Sequence, residues 1–387
     1  MNELSGRISS LPPDKVDLLM QKLRRGKSGN GSGAVASQAT RKHPFNPLED
    51  KNYRLEIAKP GIFETLDLKV CPRVAPGPGE VEIAVEAAGL NFRDVMVALG
   101  SYPTPPGVKQ PAIGVDCAGT IVATGSGVES FHAGDEVMCM SDGTFTRYLR
   151  THHSCLMPKP ANFTFAQAAA IPCVFETVQY ALIEVAHLAK GESVLIHSAA
   201  GGVGLAAIQV ANAVGAKIFA TVGTPDKREF LQTLGIEHIF DSRALTFADD
   251  IMKVTGGEGV DVVLNSLAGE AITKGFEILR PWGRFLELGK RDLAANSPLG
   301  MFPFIRGVLF QGINLGLLAP DQKPDLAAKM RRDLNRLFQE GIYKPLPIHT
   351  YTIAEAAGAF GYMMQGKHIG KLVLTLPGEG VLVAAAS

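Results

Sequence analysis

The chain has 387 residues, 46% of them hydrophobic, and its 38 Lys plus Arg balance its 38 Asp plus Glu. This length holds one large domain or two ordinary ones, and the charge balance gives no electrostatic footprint for nucleic acid or an anionic membrane. No signal peptide and no uninterrupted apolar run of membrane-spanning length is read, so no membrane association is expected. Cys71, Cys117, Cys139, Cys155 and Cys173 are scattered and lack C-x-x-C spacing, so free thiols in a reducing, cytoplasmic compartment are expected, without a metal site.

In chain order, residues 11–25 open with prolines and continue as a short amphipathic helix with Leu18, Leu19 and Leu23 on one face. A Gly/Ser-rich linker follows over 26–38. Residues 1–45 are therefore read as a tethered helix and linker, a connector to a preceding domain or a disordered extension. From Tyr53 to about Leu156 short strands and Gly-rich turns dominate, with Glu80 to Glu86 alternating polar and apolar. From Thr164 helices alternate with apolar strands at 192–196, 217–222, 238–240, 261–264 and 283–288. That alternation predicts an α/β fold with a doubly wound parallel sheet. A helix is expected over Asp325–Glu340, and a final strand, Lys371–Thr375, returns to the β-rich part. The domains expected are 46–168 with 312–377 (β-rich), 169–311 (α/β) and a tail at 378–387.

The run His197-Ser-Ala-Ala-Gly-Gly-Val-Gly204 lies between the first of these strands and a helix. Ala199, Gly201 and Gly204 give A-x-G-x-x-G spacing in the strand–turn–helix context of a Rossmann dinucleotide site. The backbone of Ala200, Gly201, Gly202 and Val203 would approach a pyrophosphate, Gly204 would let the helix lie on its strand, and the helix N-terminus favours the anion. After the next strand, where an NAD site places an acid, stands Gly223-Thr-Pro-Asp-Lys-Arg228. Thr224, Lys227 and Arg228 suit a 2′-phosphate, which favours NADPH over NADH; Asp226, as a displaced ribose acid, is the opposing reading. Thr177, at the start of a helix, and Asn265, Ser266 and Gly289, which follow strands, complete the expected cofactor set, each with packing or capping as the alternative.

Four stretches carry a resemblance: 89–96 (GLNFRDVM), 114–119 (GVDCAG), 197–204 (HSAAGGVG) and 283–290 (GRFLELGK). Together, over residues 50–377, the chain resembles the enoyl reductase domains of polyketide synthases and animal-type fatty acid synthases, in the medium-chain dehydrogenase/reductase superfamily. The resemblance implies a Rossmann domain plus a GroES-like substrate domain. It also implies NADPH, no metal, and reduction of the α,β double bond of an enoyl thioester. The substrate would hang on the phosphopantetheine of an acyl carrier protein within a multienzyme of neighbouring domains. Lys371 matches a family position near the cofactor. Lys290 matches the family's proposed proton donor, with enolate neutralisation as its other role and Asp292 as a candidate partner. Asn91 is the second candidate, near nicotinamide or ribose.

Several residues depart from the family pattern. Phe92 stands where some relatives carry a protonating tyrosine, and Asn314 and Gly316 where an aspartate is frequent. Both departures bear on protonation at the α-carbon, and leave open a ring closure that expels a leaving group, such as cyclopropane formation. Gly114-Val-Asp116 replaces the G-H-E of zinc-dependent relatives. Adjacent His152 and His153 read as surface residues, Arg93 and Asp94 as a structural pair, and Trp282 and the methionines of 361–364 as packing. A free-standing quinone or enone reductase, or a non-catalytic NADPH-binding module, are the other readings. An exposed sheet edge in the Rossmann part would allow a homodimer.

Overall fold

A computed structural model describes residues 42–44, 51–104, 107–318, 322–376 and 382–384. The expected helix at 11–25 and the linker at 26–38 lie outside these residues. In chain order the elements are β1 (Lys42–Pro44), β2 (Lys51–Ile57), β3 (Leu66–Pro72), β4 (Glu80–Leu90), α1 (Phe92–Ala98), β5 (Asp116–Thr124), β6 (Glu136–Met140), β7 (Tyr148–His152) and β8 (Leu156–Pro158). Next come α2 (Phe165–Ala168), α3 (Pro172–Val178), β9 (Ser193–Ile196), α4 (Gly202–Val214), β10 (Lys217–Val222), α5 (Pro225–Thr233), β11 (His238–Asp241), α6 (Phe247–Val254), β12 (Val260–Asn265), α7 (Glu270–Glu277) and β13 (Leu279–Glu287). The chain closes with α8 (Arg291–Ala294), β14 (Leu309–Gly312), α9 (Pro324–Gln339), β15 (Ile348–Thr352), α10 (Ala356–Met364), β16 (Lys371–Thr375) and β17 (Leu382–Ala384).

Two sheets divide these strands. The first has the order β15-β16-β4-β5-β6-β8, with β7 also paired to β4. Its pairs are antiparallel except β15–β16. The second is parallel throughout, in the order β11-β10-β9-β12-β13-β14. Its central strands β9 and β12 are buried on both faces, as the near-continuous apolar runs Ser193–Ile196 and Val260–Asn265 show. Strand order reverses between β9 and β12, so their carboxyl ends open the crevice in which such folds take ligands.

One large core spans the helices over β9, β10 and β12, including Phe175, Leu205, Ile208 and Leu264. A second fills the β-rich part around Ile83, Phe145 and Phe360. The buried pair Glu176–Arg331, with both nitrogen–oxygen contacts at 3.1 Å, fastens α9 to α3, and Arg331 also donates to the Ser154 carbonyl at 2.6 Å. Residues 165–185 are long and apolar enough by composition to cross a membrane, yet 67% of that window is buried inside the protein, as in a core helix. Trp282 departs from the sequence reading: it is 77% exposed, with φ +66°, and its ring lies over Gly307 instead of entering a core. Met363, by contrast, is buried.

Candidate active site

The glycine turn after β9 is built by close approach. A Cβ on Gly204 would lie 2.5 Å from the Ala199 backbone, so only glycine lets α4 sit against its strand. Gly201 caps α4 in extended conformation, and the N–H groups of the first turn have no helical acceptor. A Cβ on Gly202 would meet the Lys371 side chain at 2.8 Å. Gly201 also bridges Gly370, whose N–H donates to the Ala200 carbonyl at 2.9 Å. The segment before β16 therefore buttresses the turn from the β-rich side.

Lys371 ends in a buried polar cluster. Its Nζ donates to Asn91 Oδ1 at 2.8 Å and to Asp116 Oδ2 at 2.9 Å. Asn91 Nδ2 donates to the same Asp116 oxygen at 2.9 Å, and the Cys173 N–H to Oδ1 at 2.7 Å. Asn91 also caps α1, with Asp94 accepting from its N–H at 2.9 Å. Asp94 accepts from the Gly114 N–H too, and burial raises its carboxyl to about 6. Lys371, expected at the cofactor by resemblance, and Asn91 are thus neighbours, their contacts made within the protein. Arg93 pairs chiefly with Asp142 at 2.6 Å; Asp94 is 3.7 Å away. Phe92 is 60% exposed. Thr177 lies near the end of α3, not at a helix start, because Pro172 opens that helix five residues earlier. His152 is exposed and His153 half-buried, their rings 4.7 Å apart.

At the parallel sheet's carboxyl edge, Ser266 Oγ donates to Ser198 Oγ at 3.1 Å across the strand-order switch. Asn265 is fully buried. Its amide is spent on Leu267 and on Glu287, which accepts at 2.6 Å. Glu287, unremarked in the sequence, also accepts from the Gly289 N–H at 2.5 Å, and burial raises its carboxyl to about 7. Lys290 Nζ donates to the Ile313 carbonyl at 2.8 Å; burial lowers its proton affinity and Glu287 opposes that. Asp292 accepts from the Gly269 N–H at 3.1 Å and from Arg291, so the acid beside Lys290 is Glu287. Asn314 is exposed and its Oδ1 accepts from the Gly316 N–H at 3.2 Å.

A pocket adjoins the glycine turn, lined by Ser198, Gly223, Thr224, Lys227, Ser242, Arg243, Gln365 and Gly366 among others. Lys227 donates to the Gly366 carbonyl at 2.7 Å, and burial followed by Arg243 lowers its proton affinity. A Cβ on Gly223 would lie 2.8 Å from Arg243 Nε, so the missing side chain makes room for that guanidinium. Arg228 is not brought here: it faces β11 and donates to the Ile239 carbonyl. Arg243 and Ser242 were not read from the sequence. They follow β11, which neighbours β10, so a search along the adjacent strand's end would have found them.

A glycine-turn crevice between a Rossmann sheet and a GroES-like sheet defines a two-lobed dehydrogenase or reductase. Residues 77–161 match the alcohol dehydrogenase GroES-like domain family, and 202–331 the zinc-binding dehydrogenase family. The chain is 40% identical to CurK enoyl reductase, covering 84% of this chain and 99% of that one with a TM-score of 0.78. It is 34% identical to the CurF ER cyclopropanase from the curacin A biosynthetic pathway, over the same shares and with the same TM-score. It is also 43% identical over 337 residues to a phthioceranic/hydroxyphthioceranic acid synthase of Mycobacterium tuberculosis, covering 86% of this chain but 16% of that protein. The chain belongs to the medium-chain dehydrogenase/reductase superfamily, among the polyketide synthase enoyl reductases. Proteins of this family use a nicotinamide cofactor, and the cradle at Gly201, Gly202 and Gly204 fits its pyrophosphate.

Proposed function

We propose that the chain reduces the α,β double bond of an enoyl thioester with NADPH, on a substrate carried by the phosphopantetheine of an acyl carrier protein. The pocket with Lys227 and Arg243 beside the glycine turn carries this reading. Two cations and the hydroxyls of Thr224 and Ser242 suit a 2′-phosphate, and no acid stands at the end of β10 to receive a ribose hydroxyl pair. The relatives are polyketide synthase components, which supports a carrier-bound substrate and neighbouring domains.

The bound cofactor supplies the hydride for the β-carbon. The protein's own residues hold the rest. Lys290, half-buried at the edge of the parallel sheet, presents a cation to the enolate oxygen or a proton to the α-carbon. The Lys371–Asp116–Asn91 cluster fixes the opposing wall. Phe92 has no proton to give, and Asn314 no acid, so Lys290 or water serves the α-carbon.

The donor set does not suit zinc. Both Asp116 oxygens are taken by internal donors, one of them the Lys371 ammonium. Burial, first among its causes, pushes the Cys173 thiol far from thiolate. Among the described residues no three His, Cys, Asp or Glu side chains converge. We therefore read the reaction as zinc-independent.

The likeness to the CurF cyclopropanase favours one alternative, ring closure from a γ-halogenated enoyl thioester. The edge strand β14, together with Trp282 of β13 and Met301, Phe302 and Ile305 of the segment before β14, all four at least 77% exposed, supports a homodimer, which light scattering would test. The reaction itself is tested by comparing kcat/KM for a pantetheine-linked crotonyl thioester with that for quinones and simple enones. The reading expects the thioester to win by at least about tenfold. Preference for the quinone would replace it with a free-standing quinone reductase, and a γ-chloro thioester yielding only plain reduced product would sink the ring closure.

A further inference from the structure

Glu287 is 2% exposed at the carboxyl end of β13, beside Asn265 of β12 in register. A buried carboxylate is costly unless its oxygens are satisfied. Here Oε2 accepts from Asn265 Nδ2 at 2.6 Å and Oε1 from the Gly289 N–H at 2.5 Å. Asn265 cannot turn round, because its Nδ2 also donates to the Leu267 carbonyl and its Oδ1 accepts from the Leu267 N–H. A glutamine at 287 would set its NH₂ group against a donor in either orientation, the Asn265 amide or the Gly289 N–H, so the position requires an acceptor on both sides.

The same residue closes a ring of contacts around Lys290. The Glu287 carbonyl accepts from the Ile313 N–H at 2.8 Å, and the Ile313 carbonyl accepts from Lys290 Nζ at 2.8 Å. The Glu287 side chain holds Gly289, the residue before Lys290, so closely that a Cβ there would lie 2.6 Å from Oε1. Lys290 is thus tethered at its backbone and at its ammonium, both through Glu287. The charged groups facing Glu287 are Lys290 and Asp292, and the one facing Lys290 is Glu287.

We propose that Glu287 is a positioning residue: its carboxylate couples the loops leaving β12 and β13 and, through Gly289 and Ile313, sets the place of Lys290. This rests on the reductase reading, in which Lys290 faces the substrate. A neutral side chain at 287 removes the charge that opposes burial of the Lys290 ammonium, so Lys290 loses its proton at lower pH.

The test uses the full chain with Glu287→Gln, Gly289→Ala and Lys290→Met, and Glu287→Gln combined with Lys290→Met. Steady-state rates across the alkaline pH range are paired with amine-specific labelling of Lys290 followed by mass spectrometry. Glu287→Gln is expected to lower kcat by about tenfold or more, with the NADPH Kd within about twofold. Its alkaline rate limb and the labelling midpoint of Lys290 both move to lower pH. On the Lys290→Met background the same substitution costs under about twofold, since residues acting through one another are non-additive. Gly289→Ala, which crowds Oε1 and keeps the charge, loses kcat with the limb in place, and it serves alone if Glu287→Gln does not fold. An unmoved labelling midpoint, equal losses on both backgrounds, or full kcat in Gly289→Ala overturns the inference. Absence of thioester turnover in the unmodified chain instead defeats the reductase reading, while the labelling still decides whether Glu287 governs Lys290.

Discussion

The ammonium of Lys371 on β16 lies 2.9 Å from the carboxylate of Asp116 on β5, with both side chains buried. Strands β16 and β5 flank β4, so the pair spans the sheet that walls the candidate site. The Lys371 side chain also packs against Gly202, and its neighbour Gly370 bonds the Ala200 carbonyl, so this one residue links the β-rich wall to the glycine turn.

Removing one partner of a buried pair strands the other charge. Lys371→Met is expected to destabilise the protein by about 3–5 kcal/mol. Pairing it with Asp116→Asn should recover part of that loss, because no charge then remains unpaired. Urea denaturation of the two single variants and the double variant checks this. A double variant as unstable as the sum of the singles would show that the two residues do not act as a pair.

In the proposed reading, cofactor choice rests on Lys227 and Arg243. Arg243→Ala and Lys227→Ala are each expected to raise KM for NADPH by about tenfold or more while leaving the NADH value within about twofold. Arg228→Ala should leave both unchanged, since that guanidinium is committed to the Ile239 carbonyl. Initial rates with the two cofactors decide it. A loss in Arg228→Ala as large as in Arg243→Ala would show that the guanidinium leaves β11 on binding.

The regular elements were legible because their signals are local. Strands β10 and β16 fall at the residues expected, and the alternation of strands and helices gave the doubly wound sheet. The turn at Gly201, Gly202 and Gly204 was readable from its spacing between a strand and a helix, and Gly204 answers the close approach of Ala199 five residues earlier, whereas the Gly202 contact with Lys371 comes from far along the chain. What escaped depends on neighbours distant in sequence. Arg243 and Gln365 reach the pocket beside the glycine turn from another strand's end and another lobe. Glu287 looked like one more residue of an apolar strand, and its partner Asn265 is 22 positions away. Lys227 and Arg228 were taken together, although successive helix positions point about 100° apart, so only one can face the pocket.

Acid stability has opposing contributions. His197 is buried, its Nδ1 paired with Thr221 Oγ1 at 2.9 Å and its Nε2 without a partner among the described residues. Burial depresses its imidazole to about 3, against about 6.5 in the unfolded chain. As pH falls below about 6.5 the unfolded state takes up a proton that the folded state refuses, so stability is lost toward pH 3. Asp94 and Glu287, raised to about 6 and about 7, act the other way: the folded state binds their protons first, so they favour folding as pH falls from neutral toward the ordinary carboxyl range. His197→Phe should therefore flatten the loss of stability between about pH 6 and pH 4. Denaturation midpoints at several pH values check this, and identical slopes with and without His197 would contradict it.

The central claim is hydride and proton addition across an enoyl thioester at a site built around Lys290 without zinc. Its most direct test is a chelator-treated sample mixed with NADPH and a pantetheine-linked crotonyl thioester, with NADPH consumption and product mass followed together. The account predicts one NADPH consumed for each product formed and a product two hydrogens heavier than the substrate. NADPH bound but not consumed, or turnover that returns only when zinc is added, would contradict it.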